Sequence, residues 1–102
     1  MAFEPIWKNE ETDYLAKALL AVENEEDANR LLDDLCTIAE IKALAQRLAV
    51  ARLLSQDTTY NSIVAATGAS TTTISRVKRC LIYGADGYQR VLNRLNKEQV
   101  HE

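Results

Sequence analysis

The 102 residues supply one domain's worth of chain, spanning 1–102, and a chain this short buries a modest core, for which shared burial across a dimer is a common remedy. Hydrophobic residues at 47% and charged residues at 26% exclude global disorder, and no apolar run reaches the roughly 18 residues that cross a bilayer. The net charge of −3 is unevenly spread: residues 1–40 hold eleven acids and three bases, residues 41–102 nine bases and four acids, and the stretch 58–83 carries Arg76, Lys78 and Arg79 with no acid. That asymmetry fits a second half facing phosphate; the alternative is that acids and bases cluster on different solvated faces.

The segment from about Ile6 to Val22 places Tyr14, Leu15, Ala18, Leu19 and Val22 on one face and reads as an amphipathic helix. Trp7, ahead of it, reads as a packing anchor. Asn24 followed by Glu25, Glu26 and Asp27 reads as an N-cap with an acidic first turn, opening a second helix to about Leu35 with Ala28, Leu31, Leu32 and Leu35 on one side. Thr37 and Glu40 have the spacing of a capping box. The helix they open runs to about Ser55 and is apolar nearly all round: Ile41, Ala43, Leu44, Ala45, Leu48, Ala49, Val50, Ala51, Leu53 and Leu54 cover far more than one stripe. Such a helix calls for cover on most sides, which the interlocked helices of a homodimer would supply.

After the polar break Gln56-Asp57-Thr58, Thr59 caps a short helix over 60–67 that buries Ile63 and Val64, with Ala66 a further candidate. Gly68-Ala69-Ser70 is a tight turn, with Gly68 where a helix ends in a left-handed conformation. Ser70 caps a helix over 71–83 that turns Ile74, Val77 and Leu81 inward, and Gly84 stops it. A last helix over 87–97 carries Tyr88, Val91, Leu92 and Leu95 at core spacing. The expectation is an all-α fold of about six helices.

Two short helices joined by a Gly-containing turn form a helix-turn-helix, here over about 58–83. Its second helix exposes Thr71, Thr72, Ser75, Lys78 and Arg79. Small hydroxyl residues at the start of a helix permit close approach to a major groove and hydrogen-bond bases or phosphates, and Arg and Lys reach phosphates or guanine. The candidate contacts to double-stranded DNA are Tyr60, Ser70, Thr71, Thr72, Thr73, Ser75, Arg76, Lys78 and Arg79. A hairpin that packs a core and binds nothing is the bland alternative, and the acid-free exposed face weighs against it.

From Leu35 to Tyr83 the chain resembles the Trp repressor superfamily, specifically its small YerC/YecD-type members. The carrying residues are Leu35, Thr37, Glu40, Ala43-Leu44, Arg47, Leu53-Leu54, the Gly68-Ala69 turn and Thr73-Ile74-Ser75-Arg76. The resemblance implies an intertwined homodimer of six-helix chains and transcriptional repression at a palindromic operator. It also implies that Thr37, Arg47 and Arg76 stand where tryptophan-responsive members hold their corepressor. Val77, however, stands where those members have Gly, Cys80 where they have Ser, and Asp34 where they have an apolar wall residue. A Val side chain fills much of the indole slot, so repression without tryptophan is expected. The two arginines have an alternative reading as partners of Asp33, Asp34 or phosphate, and Thr37 as a helix cap.

Neither a nucleophile–His pair, a phosphate-cradling Gly loop nor a metal cluster is visible, so neither an enzyme nor a cofactor is expected. The only histidine is His101, and Cys36 and Cys80 read as two reduced, buried thiols. The acidic start lacks a signal-peptide pattern, and a cytoplasmic location is expected. Two rivals remain: a protein-interaction adaptor that keeps the helical domain as a dimerisation scaffold, and a repressor switched by a small ligand other than tryptophan.

Overall fold

Polar side chains at the helix starts set the element boundaries. In the computed structural model, which describes residues 2–100 with side chains through Lys97, the elements in chain order are α1 (Glu10–Leu20), α2 (Glu25–Leu35), α3 (Ile38–Ser55), α4 (Tyr60–Thr67), α5 (Thr71–Tyr83) and α6 (Gly87–Val100). The fold is all-α. α1 begins four residues later than Ile6, because Asn9 caps it. The Asn9 side chain accepts from the Thr12 N–H at 2.9 Å, and the Thr12 hydroxyl accepts from the Asn9 N–H at 2.8 Å. Asn24 caps α2 by accepting from the Asp27 N–H at 2.8 Å. Thr37 and Glu40 bond reciprocally at the start of α3: Glu40 N–H donates to Thr37 Oγ1 at 3.1 Å, and Thr37 N–H donates to Glu40 Oε1 at 2.8 Å. The Thr37 N–H, which donates to the carboxylate, holds the Glu40 carboxyl below the ordinary glutamate range, and the neighbouring Thr37 hydroxyl adds to the effect. α6 runs to Val100, past the expected end at Lys97.

The chain divides into two compact units, Met1–Ile41 and Lys42–Glu102. In the first, α1 and α2 bury no residue. Their inward positions Ala18, Val22, Ala28, Leu31 and Leu32 are only half-buried, and Leu15, Leu19 and Leu35 remain exposed. Trp7, expected to anchor packing, is 64% exposed, since two short helices offer it no interior.

The core lies in the second unit. Val50 and Ala51 of α3, Ile63 of α4, Ala69 of the turn, Ile74 and Val77 of α5 and Leu92 of α6 are buried together, with Leu53, Leu54, Tyr60, Leu81 and Tyr88 packed against them. Three expectations need correction. Val64 is 38% exposed and Ala66 is exposed as well, because Ile63 is the buried residue of α4. Val91 and Leu95 are exposed, because α6 meets the core through Tyr88 and Leu92. Cys80 is exposed rather than buried, and Cys36 is half-buried; both are free thiols. On α3 the apolar residues Leu44 and Leu48 also stay open.

Backbone geometry follows side-chain chemistry at the joints. Asp57 and Asp86 take left-handed conformations, at φ 58° and 68°, which Asp tolerates better than bulkier residues. Gly84 ends α5 with an ordinary negative φ. Its requirement is space, since a Cβ there would collide with the Cys80 carbonyl, to which the Gly84 N–H also donates.

Candidate nucleic-acid interface

Short polar bonds cap α4 and α5 and close the turn between them, while the two helices meet through the buried Ile63, Ile74 and Val77. The Thr59 hydroxyl accepts from the Ser62 N–H at 3.2 Å and opens α4. At the other end Gly68 takes φ +72°, and its N–H donates to the Val64 carbonyl at 2.9 Å. The Thr67 hydroxyl donates to the Ile63 carbonyl at 2.7 Å and accepts from the Ala69 N–H at 3.1 Å, so one side chain clasps both arms of the reversal. The Gln46 amide of α3 donates to the Thr67 carbonyl at 3.2 Å, tying the turn to the preceding helix. Ala69, 1% exposed, plugs the turn into the core. Ser70 then accepts from the Thr73 N–H at 3.1 Å and starts α5.

Most of the residues singled out from the sequence meet on α5. Thr71, Thr72, Ser75, Arg76, Lys78 and Arg79 are all exposed. Five of them, Thr71, Thr72, Ser75, Arg76 and Arg79, line a shallow depression of about 370 Å³. Thr73 is half-buried and Ser70 is engaged as a cap, so both stand at the edge of this surface. Tyr60 is half-buried on α4, with the Lys78 ammonium 5.7 Å from its ring centroid. Within this unit the ion pair among the described residues is Asp86–Arg90 at 3.3 Å, which leaves Arg76, Lys78 and Arg79 free of carboxylates. The result is a positive surface studded with hydroxyls, beginning at the amide-rich start of a helix.

A second concavity, of about 390 Å³, lies between α3 and α5. Arg47 and Arg76 line it with Gln46, Thr73, Cys80 and Tyr88, and Val77, 3% exposed, sits in its wall. Arg47 and Arg76 are thus brought together, whereas Thr37 belongs to the first unit, where it caps α3. A third groove, of about 470 Å³, is almost wholly apolar and is lined by Leu48, Cys80, Ala85, Gly87, Tyr88 and Val91. No group of three or more His, Cys, Asp or Glu converges among the described residues; His101 lies outside them.

Ala69 was placed in the turn from sequence, but its burial was not evident, nor were the bonds that Gln46 and Thr67 make there. Thr67 was the most accessible, since a Thr directly before a helix-ending Gly is placed to bond back to its own helix. Tyr83, 81% exposed, extends the outer face one turn beyond Arg79. Its spacing of four from Arg79 was the available signal.

A family model described as Trp repressor protein matches residues 10–96. The chain is 50% identical over 92 residues to protein YerC of Bacillus subtilis (strain 168), covering 90% of this chain and 88% of that one. A candidate Trp repressor from Staphylococcus aureus has a solved structure that superposes with a TM-score of 0.84 at 47% identity, over 87% of this chain and 89% of that one. A TrpR-like protein from Eubacterium eligens ATCC 27750 superposes with the same TM-score at 46% identity, over 87% and 92%.

Proposed function

Because the chain belongs to the Trp repressor family, whose members are regulators rather than enzymes, we propose that it is a sequence-specific DNA-binding transcriptional repressor of the bacterial cytoplasm. The 102 residues act as one helical domain that binds a palindromic operator as a homodimer. The observation that carries this reading is the outer face of α5, where Arg76, Lys78 and Arg79 stand among Thr71, Thr72 and Ser75 without a carboxylate partner among the described residues. Such a face complements a phosphate-lined groove.

Dimerisation is supported by what one chain leaves open. Leu15, Leu19, Leu20, Leu44, Leu48 and Val91 are exposed, and covering such side chains with a second copy would remove their apolar surface from water. Two copies would present two α5 helices about 34 Å apart, one helical turn of duplex.

Tryptophan is not required. Val77 occupies the wall of the cleft between α3 and α5, and its side chain takes space an indole would need. The two guanidiniums of Arg47 and Arg76 in that cleft favour, as a second reading, a repressor modulated by a smaller carboxylate. Calorimetric titration with a panel of amino acids separates the two, and heat from tryptophan contradicts the role given to Val77.

The test of DNA binding is enrichment from sheared genomic DNA, followed by titration of the enriched duplex. Nanomolar affinity lost in Arg76→Ala and Arg79→Ala, with helicity unchanged, is the expected result. No enrichment at any salt concentration would favour an adaptor that uses the domain as a scaffold.

A further inference from the structure

The DNA-binding reading leaves open which side chains of α5 read bases and which hold phosphates. Ile74, Val77 and Leu81 press α5 onto the core and so define its inner seam. At about 100° per residue, Thr72 and Arg79 lie roughly 170° round the helix from that seam. Ser75 and Arg76 stand roughly 130° round on either side, and Lys78 only about 70° round. The outermost ridge of a helix lying in the major groove meets base edges, and its flanks meet the two backbones.

Local contacts sharpen the distinction. The Lys78 ammonium lies over the Tyr60 ring at 5.7 Å, within the roughly 6 Å over which a cation is drawn to an aromatic face. Its charge is therefore held beside the first turn of α4, away from the outer ridge. Arg79, in the same helix, makes no hydrogen bond or ion pair among the described residues of its unit, and its side chain is free to extend. Arg and Lys can each donate to the N7 and O6 acceptors of guanine, so position separates the two here: the guanidinium of Arg79 starts from the outer ridge, and the Lys78 ammonium is held at the flank by Tyr60. Thr72 and Ser75, short and exposed beside Arg79 in the same depression, permit the close approach that such a contact needs.

Resting on the DNA-binding reading, we propose that Arg79, flanked by Thr72 and Ser75, is the specificity-determining residue and takes a guanine in each half-site. Lys78, positioned by the Tyr60 ring, is a sequence-neutral phosphate clamp.

The experiment is selection from a randomised duplex pool by the full-length protein and four variants, with salt-dependent titrations of the enriched duplex. The wild type enriches a palindrome with a G·C pair at one mirrored position. Arg79→Gln, whose amide suits adenine rather than guanine, flattens that preference roughly ten- to a hundredfold with an unchanged salt slope, since Arg79 is not assigned to phosphate. Lys78→Gln enriches the same sequence but binds every duplex more weakly, and its slope of log K against log salt is less negative by about 0.9 per clamp. Tyr60→Leu weakens binding in the same sequence-independent way by about two- to fivefold, and Tyr60→Phe, which retains the ring and guards against a folding defect, does not. Retention of the G·C preference by Arg79→Gln, or altered base preference in Lys78→Gln, overturns this division while leaving DNA binding intact. A wild type that enriches no sequence overturns the DNA-binding reading and the division together.

Discussion

Gly68 holds φ +72° with open space where a Cβ would stand, so its substitution is penalised by backbone conformation alone. Gly68→Ala is expected to lose about 1 kcal/mol in a denaturant titration, and Gly68→Asn less. The adjacent Ala69 presents the opposite case. It is buried against the core, and Ala69→Leu is expected to cost about 1–3 kcal/mol by overpacking. Gly68 was legible in the sequence because one residue type alone fits that conformation cheaply. Ala69 was not, because the burial of a small turn residue depends on which helices close over it. Glu40 adds a pH dependence. Its native carboxyl titrates below the ordinary range because the folded cap favours the charged form. Folded protein therefore binds fewer protons than unfolded in that acid window. The contribution is fully present above the ordinary glutamate range and is lost as pH falls through the lowered native value. Thr37→Ala removes the hydroxyl partner and should both weaken this acid dependence and lower stability by about 1 kcal/mol, as read by thermal melts at several pH values.

The helices themselves were legible where caps and periodicity agreed. α2 through α5 begin at the residues that Asn24, Thr37, Thr59 and Ser70 mark, since a side-chain oxygen that accepts an orphan N–H leaves little choice of boundary. α1 was placed too early because Ile6 and Trp7 look like the start of an apolar stripe, while Asn9 and Thr12 close the actual start. Periodicity located faces less well than boundaries. Val64, Val91 and Leu95 fall at helical core spacing yet stay exposed in the chain, because spacing reports that a face is apolar and not what covers it. The groove of Leu48, Ala85, Gly87, Tyr88 and Val91 was invisible for the same reason: its walls come from separate elements. At this scale the proposed independence from tryptophan rests on Val77. Val77→Gly widens the cleft between α3 and α5, and the expected outcome is calorimetric heat with tryptophan that the wild type lacks.

At the scale of the whole molecule, charge and apolar exposure point the same way. The acids concentrate in residues 1–40, and the acid-free stretch 58–83 carries the proposed DNA-facing helix. The over-apolar α3 was legible from sequence as a helix needing more cover than one chain provides. In the structure Val50 and Ala51 are its buried residues, and Leu44 and Leu48 stay open. A homodimer is the proposed cover, and sedimentation equilibrium at micromolar concentration is expected to give twice the 11.4 kDa chain mass. The most direct measurement is the affinity of the intact protein for its best selected palindrome at several salt concentrations, alongside Arg76→Ala and Arg79→Ala. The predicted result is tight binding that weakens steeply with salt and collapses in both variants while their helicity is unchanged. Full, salt-sensitive affinity in both variants would contradict the assignment of α5 as the DNA-reading surface.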